Sequence, residues 1–413
     1  MEPIPLLEEK RVLLGVTGGI AAYKVCTLAS HLTQAGAQVD VVMTESATRF
    51  VAPLTFEALT GRPAYTDMWR TGGQGLPTHI AHVGLAHAAD LLVIAPATAN
   101  TIAKLATGIA DNLLTTLALA ARCPVLLAPA MDVGMWAHPA TQANVAALRE
   151  RGAYFAGPAR GRMASGLEGE GRMVEPDEIL GHVRRVLGRE GPLAGRQVVV
   201  TAGPTREPLD PVRFLSNRSS GRQGFALAQA ALDRGAVVTL IAGPTHLPTP
   251  VGAGRVDVTT AQEMHDGVIS AVERADVLLM AAAVADYRPA AAAPQKIKKR
   301  GEGLNLRVVR TPDILSAVAA RRAGTGFPRV VVGFAAESED LVKNARAKLA
   351  TKNLDLIVAN DVTAPDAGFG AETNRVVILD REGDVEELPL MSKAAVADAV
   401  LDRLLSLLTN QPT

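Results

Sequence analysis

The feature that most constrains the fold is a pattern of short buried strands that occurs twice. In each half, four apolar runs rich in β-branched residues end in Gly, Pro, Thr, Asn or Asp and alternate with Ala/Leu-rich stretches of helical period. The corresponding runs are RVLLGVTGGIAAYK and RQVVVTAGPTRE, GAQVDVVMTESAT and GAVVTLIAGPT, AADLLVIAPATAN and RADVLLMAAAVADY, and CPVLLAPAMD and LDLIVAND. This pattern predicts an α/β fold made of two tandem Rossmann-like domains with mostly parallel sheets.

The chain is long enough for two such domains. At 413 residues it exceeds what one hydrophobic core usually supports. Gly and Pro interrupt a helical stretch over residues 188–195, which indicates a linker between two folded halves. We therefore predict two domains, residues 1–189 and residues 190–413. Within the second, residues 289–303 lack a periodic apolar face and predict an irregular excursion of the chain.

Charge and cysteine content exclude several function classes. Basic and acidic residues number 42 each and form no long run of one sign, which argues against a nucleic-acid or membrane surface. Cys26 and Cys123 lie in separate apolar stretches and predict neither a disulfide framework nor a CxxC metal site. The N-terminal residues lack a signal-peptide pattern, and the apolar run over 277–285 is too short to cross a bilayer. We expect a cytoplasmic protein that acts on small polar metabolites.

The ends of the first three strands of the first half carry residue types that bind a phosphate group. A strand followed by a Gly-rich turn and a helix places free backbone N–H groups toward an anion. The spacing is not GxGxxG, and hydroxyl side chains rather than an acidic residue follow the second strand, which favours a mononucleotide over NAD. The alternative is that the glycines only tighten a βα turn. The candidate cofactor-binding residues are Gly18, Gly19, Ile20, Ser46, Thr48, Ala97, Thr98 and Asn100.

These strand ends, together with the segments THIAHVGLAHAAD and APAMDVGMW, make the first half similar to the flavin-dependent cysteine decarboxylase family. Over nearly its full length the chain resembles the bifunctional phosphopantothenoylcysteine decarboxylase/phosphopantothenate–cysteine ligases of coenzyme A synthesis. The resemblance implies a flavodoxin-like first domain that binds FMN and decarboxylates 4′-phospho-N-pantothenoylcysteine to 4′-phosphopantetheine. It also implies that His82, rather than His79 or His87, exchanges a proton with the substrate thiol.

Two positions of the first half depart from the family pattern. Relatives commonly read Pro-Ala-Met-Asn where this chain has Asp132, so a potential like charge replaces an amide expected to donate to the substrate carboxylate. In the segment RMASGLEGEGRM, Ser165 stands where some relatives carry a cysteine that protonates an enethiolate. A serine hydroxyl is a much weaker acid than a thiol. Another donor, a water molecule or a variant mechanism is therefore required, and we predict that turnover still runs to 4′-phosphopantetheine.

The second half carries a long polar connection, residues 201–221, that resembles the signature loop of the family's ligase domain. Its prolines stiffen the chain and hold polar side chains in place. The resemblance implies that CTP activates 4′-phosphopantothenate as an acyl-cytidylate, which the amine of cysteine then attacks. It assigns Asn217 to an acyl-cytidylate oxygen, with Arg213 in support. Residues 219–221 open a helix and are expected to bind the pantothenate phosphate, although an ordinary N-cap would have the same sequence.

The same resemblance assigns further residues of the second half to the nucleotide. Asp286 is expected near the cytidine and a Mg²⁺ ion, and Lys296 is expected on the triphosphate as part of a flap. A magnesium ion bound mainly by phosphate oxygens needs only one or two carboxylates. Phe334 is expected to border the cytosine, although an ordinary core position would also explain it. The other expected nucleotide-binding residues are Pro312, Asp313, Ile314, Leu315, Lys348 and Lys352, of which the two lysines stand about one helical turn apart.

The sequence leaves two alternative functions open, and the resemblance also implies an oligomeric state. The departures at Asp132 and Ser165 also suit a flavin-binding regulatory subunit in which only the ligase turns over. The doubled Rossmann-like pattern also suits a nicotinamide-dependent oxidoreductase. The resemblance implies a homo-oligomer, a dodecamer in which ligase-domain dimers join decarboxylase-domain trimers with each flavin at a subunit boundary. The expected small-molecule partners are 4′-phosphopantothenate, cysteine and CTP.

Overall fold

The computed structural model describes residues 2–68, 81–163, 165–299, 303–337, 339–361 and 371–409. The chain forms two compact units, Met1–Gly188 and Arg189–Thr413. Each unit is built on a sheet of mostly parallel strands that alternate with helices, which confirms the predicted α/β class. None of the helices within the described ranges combines the length and the apolar character needed to cross a membrane.

Six strands of the first unit pair in parallel and form its central sheet. They are β1 (Arg11–Val16), β2 (Gln38–Met43), β3 (Ala64–Tyr65), β4 (Leu91–Ala97), β5 (Val125–Pro129) and β6 (Tyr154–Phe155). Their order across the sheet is β3-β2-β1-β4-β5-β6. The direction of progression reverses between β1 and β4. Open parallel sheets bind ligands beyond the carboxyl ends of the strands at such a reversal.

Helices cover both faces of this sheet because successive strand side chains point to opposite faces. Leu14 and Val93 pack into one core with α1 (Ala22–Gln34) and α8 (Pro176–Gly188). Leu13 and Leu92 pack into a second core with α3 (Ala81–Ala88), α4 (Ala99–Thr107), α5 (Leu113–Ala120) and α7 (Pro139–Glu150). Burying each such side chain stabilises the fold by roughly 1.5–3 kcal/mol. The helices are α1 (Ala22–Gln34), α2 (Pro53–Thr60), α3 (Ala81–Ala88), α4 (Ala99–Thr107), α5 (Leu113–Ala120), α6 (Val133–Ala137), α7 (Pro139–Glu150) and α8 (Pro176–Gly188), with short 3-10 helices at Pro5–Leu7 and Ala47–Arg49.

A separate antiparallel hairpin follows the sheet of the first unit. It consists of β7 (Ala159–Arg162) and β8 (Glu168–Arg172). We call residues 159–172 the flap hairpin. Its turn is closed by the N–H of Met163, which donates to the carbonyl of Leu167 over 2.8 Å. The turn carries Ser165, one of the two positions that depart from the family pattern.

Eight strands form the central sheet of the second unit. In chain order they are β9 (Gln197–Ala202), β12 (Val237–Ala242), β13 (Gly254–Asp257), β14 (Val277–Met280), β17 (Val330–Glu337), β18 (Leu356–Asp361), β20 (Val376–Asp380) and β21 (Val385–Glu387). Their order across the sheet is β13-β12-β9-β14-β17-β18-β20-β21. All pairs are parallel up to β18, and β20 and β21 extend the sheet in antiparallel fashion. The order reverses between β9 and β14, which therefore flank the expected ligand crevice.

Among the described residues of the second unit, short two-stranded ribbons and five helices accompany the sheet. The ribbons are β10 (Arg206–Pro208) with β11 (Phe214–Ser216), β15 (Tyr287–Pro289) with β16 (Val308–Arg310), and β19 (Thr373–Asn374) with β22 (Met391–Ser392). The helices are α9 (Arg222–Asp233), α10 (Ala261–Ala271), α11 (Ile314–Thr325), α12 (Leu341–Thr351) and α13 (Lys393–Thr409). We call residues 206–216 the polar hairpin and residues 290–307 the excursion. Cores on both faces of the sheet pack α9 and α13 on one side and α10, α11 and α12 on the other.

Candidate functional sites

A cavity of about 860 Å³ opens at the carboxyl ends of the central strands of the first unit. This volume lies within the range of small-molecule and cofactor sites. Its lining comes from the turns after β1, β2, β4 and β5, so it lies where the strand order reverses. The predicted residues that line it are Gly18, Gly19, Ile20, Ser46, Thr98, Asn100, Asp132 and Ser165.

Close packing at the floor of the cavity requires glycine at position 18. A Cβ atom at Gly18 would lie 2.3 Å from the Cβ of Ser46 and 2.9 Å from its carbonyl carbon. The turns after β1 and β2 therefore touch, and α1 begins directly beyond them. The turn after β4 is fixed as well, because the hydroxyl of Thr17 donates to the carbonyl of Pro96 over 2.5 Å. The resulting concave surface, with helix N-termini beside it, suits an anionic group.

Thr98 caps α4 with the same side chain that borders the cavity. Its Oγ1 accepts a hydrogen bond from the N–H of Thr101 over 3.3 Å. Two other predicted residues are not among the described residues that line the cavity. The hydroxyl of Thr48 donates to the carbonyl of Glu45 over 2.7 Å, and Ala97 is fully buried at the end of β4. Of the hydroxyl residues predicted to bind the cofactor, Ser46 and Thr98 therefore line the cavity, whereas Thr48 does not.

Asp132 and Ser165 meet at the rim of the cavity. The Oδ2 atom of Asp132 accepts a hydrogen bond from the hydroxyl of Ser165 over 2.7 Å. Its Oδ1 atom accepts from the N–H of Gly134 over 3.0 Å and so caps α6. These two hydrogen bonds, that of Ser165 first, hold the pKa of Asp132 below its usual value. Asp132 is therefore ionised at neutral pH, and a carboxylate only accepts, so the Ser165 proton points toward it.

Close backbone contacts hold the flap hairpin against the start of α6. The N–H of Met131 donates to the carbonyl of Gly171 over 2.9 Å. A Cβ atom at Gly171, where φ is +142°, would lie 2.5 Å from the carbonyl oxygen of Met131. A Cβ atom at Gly169 would lie 2.8 Å from the side chain of Val133. The glycines of this hairpin therefore set the distance between the flap and the rim.

Charged side chains that the sequence analysis did not select also line the cavity. Lys104 pairs with Asp111 at 2.6 Å, and Lys24 pairs with Glu175 at 2.8 Å. Arg162 borders the cavity at the end of β7 and is exposed. Basic groups at a cavity with hydroxyls and helix N-termini suit an anionic ligand.

The three candidate histidines lie around the start of α3. The backbone of His82 lies in the first turn of this helix, whereas its side chain lies outside the described part of the structure. His79 also lies outside the described residues, and His87 is exposed in the last turn of α3. Because α3 leads into the parallel strand β4, its first turn lies at the carboxyl edge of the sheet. The assignment of the base to His82 therefore stays a prediction.

In the second unit, the polar hairpin buries several of its polar side chains. The hydroxyl of Thr205, just before the hairpin, accepts a hydrogen bond from the N–H of Ala285 over 2.9 Å. Glu207 is 1% exposed and accepts from the N–H of Ala261 over 2.8 Å, which satisfies the start of α10. Buried polar groups need such partners. These two polar side chains therefore link neighbouring loops of the second unit.

Asn217 and Arg213 bond to the main chain of neighbouring loops. The amide of Asn217 donates to the carbonyl of Val284 over 3.0 Å and to that of Ala283 over 3.4 Å, both in the connection after β14. The guanidinium of Arg213 donates to the carbonyl of Ile297 in the excursion over 2.7 Å. Both residues are exposed. They thus lie at the reversal of strand order and link the polar hairpin region to the loops that carry Asp286 and Lys296.

Asp286 and Lys296 are exposed on the chain that follows β14. Asp286 stands just before β15, and its carbonyl accepts from the N–H of Thr311 over 3.0 Å. Its carboxylate is a single candidate metal ligand. Over the described ranges, no group of three or more His, Cys, Asp and Glu side chains could hold a metal ion.

The predicted residues 312–315 form the turn into α11, where Ile314 is buried in the core. Asp313 is the N-cap of this helix and accepts from the N–H of Ser316 over 3.1 Å. Its carboxylate also binds the ammonium of Lys352, which donates to the hydroxyl of Ser316 over 3.2 Å. Burial raises the pKa of Asp313, but Lys352 and Ser316 lower it more, so the pKa lies below its usual value.

Phe334 and Lys348 are joined by a hydrogen bond between α12 and β17. The ammonium of Lys348 donates to the carbonyl of Phe334 over 3.0 Å. The Phe334 side chain is half-buried and packs against one of the two cores of the second unit. Lys348 and Lys352, which we predicted to face one polyanion, therefore bond to different groups in this structure. A nucleotide would have to displace or share these contacts.

Gly-rich turns meet at the start of α9. Gly221, the N-cap, has φ +79°, and a Cβ atom there would lie 3.3 Å from backbone atoms of Gly203. A Cβ atom at Gly243 would lie 2.0 Å from the carbonyl oxygen of Pro204. The hydroxyl of Ser219 accepts from the N–H of Gly221 over 3.3 Å. The serine therefore makes an ordinary local turn contact, while the helix N-terminus beside it is of a kind that suits an anion.

Comparison with known proteins decides the family. Residues 5–188 match the Flavoprotein family, and residues 193–408 match the family described as DNA/pantothenate metabolism flavoprotein C-terminal domain. The chain is 47% identical over 405 residues to the coenzyme A biosynthesis bifunctional protein CoaBC of Bacillus subtilis, which covers 97% of this chain and 98% of that one. The chain belongs to the CoaBC family.

One further relative and one solved structure are also similar to parts or all of this chain. The CoaBC protein of Mycobacterium tuberculosis strain H37Rv is 48% identical over 411 residues, which cover 97% of each chain. The crystal structure of the FMN-dependent cysteine decarboxylase SpaF is 37% identical and covers 44% of this chain and 97% of its own, with a TM-score of 0.38. Membership of the CoaBC family favours neither a regulatory flavin-binding subunit nor a nicotinamide-dependent oxidoreductase.

The cavity of the first unit and the polar hairpin of the second contain residues that sequence reasoning missed. Arg162, Lys104 and Lys24 gave no sequence signal, because single basic residues are common on any protein surface. The structural role of Glu207 and Asp210 was also missed. A signal was available for these two, since acidic residues between prolines in a polar loop often bond to nearby main-chain N–H groups.

Proposed function

We propose that the chain is a bifunctional enzyme of coenzyme A biosynthesis whose two units catalyse consecutive reactions. The second unit joins cysteine to 4′-phosphopantothenate through an acyl-cytidylate made from CTP. The first unit decarboxylates the product, 4′-phospho-N-pantothenoylcysteine, to 4′-phosphopantetheine with FMN. The observation that carries this proposal is that the chain matches a bifunctional relative over 97% of its length, and the reversal of strand order in each unit supports it.

The cavity of the first unit fits FMN. The turns that meet at Gly18 form a concave surface, and Ser46 and Thr98 supply hydroxyls at the same edge. Such a surface beside helix N-termini suits a single phosphate group. Arg162 adds positive charge at the rim, whereas the charge of Lys104 is balanced by Asp111. When bound, FMN supplies the two-electron oxidation of the cysteinyl carbon that makes loss of the carboxylate possible.

The side chains of the first unit are proposed to manage the proton transfers. His82 exchanges the proton of the substrate thiol, because an imidazole titrates near physiological pH. Ionised Asp132 receives the hydroxyl proton of Ser165 as a hydrogen bond, so this hydroxyl is not the acid that protonates the enethiolate. Because Ser165 is exposed, a water molecule beside it is the proposed donor.

The second unit is proposed to activate the carboxylate of 4′-phosphopantothenate. Asn217 donates to an acyl-cytidylate oxygen, where a fixed amide stabilises developing negative charge. Arg213 supports it by holding the main chain of the excursion. Lys296, Lys348 and Lys352 bind the triphosphate, the last two after exchanging their present contacts with a carbonyl and a carboxylate for phosphate oxygens.

The remaining assignments concern cytidine, phosphate and metal. Residues 312–315 and Phe334 border the cytidine, and residues 219–221 bind the pantothenate phosphate at the N-terminus of α9. Asp286, as a single exposed carboxylate, fits a Mg²⁺ ion that is held mainly by triphosphate oxygens. Each of these assignments comes from the resemblance to the family, and a position near the carboxyl edge of the sheet is compatible with it.

We also propose a cytoplasmic homo-oligomer in which a neighbouring subunit completes the flavin cavity. Ile20 and Tyr23 line the cavity yet remain 63% and 60% exposed in the single chain. Apolar side chains at the mouth of a site are commonly covered by a partner. Decarboxylase-domain trimers joined by ligase-domain dimers would cover them in a dodecamer. Light scattering on the purified protein tests this, with twelve copies of a 43.1 kDa chain expected.

One coupled assay tests the proposed function. The full chain, loaded with FMN, is given 4′-phosphopantothenate, cysteine, CTP and Mg²⁺, and CMP and CO₂ are measured separately. We expect both products in equal amounts, with 4′-phosphopantetheine as the final compound. Release of CO₂ with accumulation of an oxidised enethiol would show that the first unit does not complete turnover. CMP without CO₂ would refute the decarboxylase assignment, and absence of CMP would refute the ligase assignment.

A further inference from the structure

One residue of the excursion, Ile297, is held by both of its main-chain polar groups. The Oδ2 atom of Asp210 accepts a hydrogen bond from the N–H of Ile297 over 3.1 Å. The guanidinium of Arg213 donates to the Ile297 carbonyl over 2.7 Å. A third bond runs from the N–H of Ala293 to the carbonyl of Leu209 over 2.9 Å. The polar hairpin is therefore hydrogen-bonded to the excursion at several points.

The two carboxylate oxygens of Asp210 accept hydrogen bonds from different parts of the chain. Its side chain is 0% exposed, and its Oδ1 atom accepts from the N–H groups of Val212 and Arg213, each over 2.8 Å. That oxygen fixes the turn of the polar hairpin, whereas Oδ2 reaches across to Ile297. Burial raises the pKa of Asp210, but the three N–H groups lower it more, with that of Ile297 first, so the carboxyl is ionised. Hydrogen bonds to an ionised acceptor are stronger than neutral ones.

Ile297 directly follows Lys296. Fixing the N–H of Ile297 fixes the peptide unit that joins it to Lys296, since that unit is planar. Ile297 is half-buried, while Lys296 is exposed. We propose that Asp210, together with Arg213, is a positioning residue of the ligase reaction that holds Ile297 so that Lys296 is presented to the CTP triphosphate. This inference rests on the proposed function, which places Lys296 on the triphosphate.

The substitution Asp210→Asn separates the two tasks of the carboxylate. An asparagine keeps one oxygen, which can still accept from Val212 and Arg213, but it turns an NH₂ donor toward the N–H of Ile297. Glu207→Gln is the matched control, because Glu207 is equally buried in the same hairpin but bonds to the N–H of Ala261 instead of the excursion. A glutamine can keep that bond.

The first readout is structural and does not depend on catalysis. Trypsin cleavage after Lys296, Lys298 and Lys299 is followed in the full chain without CTP, together with hydrogen exchange of the peptide that contains Ile297. In Asp210→Asn we expect both to be roughly tenfold faster than in the wild type, as loss of one charge-assisted hydrogen bond allows. Glu207→Gln should match the wild type. Equal rates in Asp210→Asn and the wild type would overturn the inference.

The second readout asks whether Asp210 acts through Lys296. We expect Asp210→Asn to raise KM for CTP roughly tenfold with little change in KM for cysteine. In a Lys296→Gln background, Asp210→Asn should add almost nothing, because the group it positions is gone. Independent, multiplicative effects would overturn the inference while leaving the proposed function intact. An unchanged KM for CTP in Lys296→Gln alone would contradict the assignment of Lys296 and the inference with it.

Discussion

The Ser165 hydroxyl donates a 2.7 Å hydrogen bond to Oδ2 of Asp132, so the two positions that depart from the family pattern contact each other. A carboxylate accepts well from a hydroxyl, whereas a thiol that must become a thiolate is disfavoured beside a negative charge. The aspartate and the serine therefore form a consistent pair. An aspartate combined with a cysteine at these positions would not.

This pairing predicts how an engineered thiol would behave. In Ser165→Cys the carboxylate of Asp132 raises the pKa of the new thiol, and in the double variant Asp132→Asn/Ser165→Cys that charge is gone. We expect the double variant to react with iodoacetamide at pH 7 roughly threefold or more faster than the single variant. Cys26 and Cys123 can also react with iodoacetamide, and the rate measured with the wild type gives this background reaction. Equal rates in the two variants would mean that Asp132 does not influence this position.

The lowered pKa of Asp132 also leads to a prediction about how its charge depends on pH. Its pKa in the folded protein is lowered, first by Ser165 and then by the N–H of Gly134, so its charge persists to lower pH than that of a free carboxyl. The ionised form stabilises the fold above the unfolded pKa, and this contribution is lost as the pH falls through the folded pKa. Because the usual pKa of a carboxyl group is about 4, the charge of Asp132 is constant between pH 5 and 8.

The measurement compares wild type with Asp132→Asn. Because an amide can donate to the substrate carboxylate where Asp132 repels it, we expect KM for 4′-phospho-N-pantothenoylcysteine to fall roughly three- to tenfold in the variant. The ratio of the two KM values should stay flat from about pH 5 to 8, since Asp132 does not titrate in that range. A ratio that approaches one near pH 5 would show that Asp132 becomes protonated there.

Gly18 gives a test of the cofactor cavity. In Gly18→Ala the new Cβ would lie 2.3 Å from the Cβ of Ser46, so the turns that form the floor must separate. Overpacking of this kind costs about 1–3 kcal/mol, and we expect FMN to bind at least roughly tenfold more weakly. The control is Gly134→Ala at the rim, where the nearest atom to a new Cβ lies 3.6 Å away. Bound FMN per chain is read from its absorbance. Full flavin content in Gly18→Ala would place the cofactor elsewhere.

The strands were predictable from the sequence because each is a short β-branched run that ends at a turn residue. The runs that end at Val16, Met43, Ala97 and Pro129 all became parallel strands of one sheet. Their carboxyl ends then meet by topology alone, which is why residues from different turns, such as Gly18 and Thr98, could be grouped in advance. Sequence pattern was sufficient here because burial and alternation are local properties.

The contacts made by individual polar side chains were not predictable in the same way. Lys348 and Lys352 lie about one helical turn apart, yet one bonds to the carbonyl of Phe334 and the other to Asp313. These partners come from other loops, whose approach depends on the whole packing of the second unit. The role of Asp210 was hidden for the same reason, because its partner Ile297 lies 87 residues further along the chain. The spacing of residues along the chain predicts which face of an element a side chain occupies. It does not predict which distant loop packs against that face.

Metal removal separates the two proposed reactions. Asp286 is a single exposed carboxylate, and a Mg²⁺ ion held mainly by triphosphate oxygens depends on the nucleotide for most of its ligands. In the proposed mechanism, no step of the first unit is assigned to a metal ion. We therefore expect EDTA to lower the rate of CMP formation at least roughly a hundredfold, since the metal neutralises charge in nucleotidyl transfer. CO₂ release from supplied 4′-phospho-N-pantothenoylcysteine should continue at its normal rate, and added Mg²⁺ should restore CMP formation. Loss of both activities in EDTA would mean that the metal supports the fold or the first reaction as well.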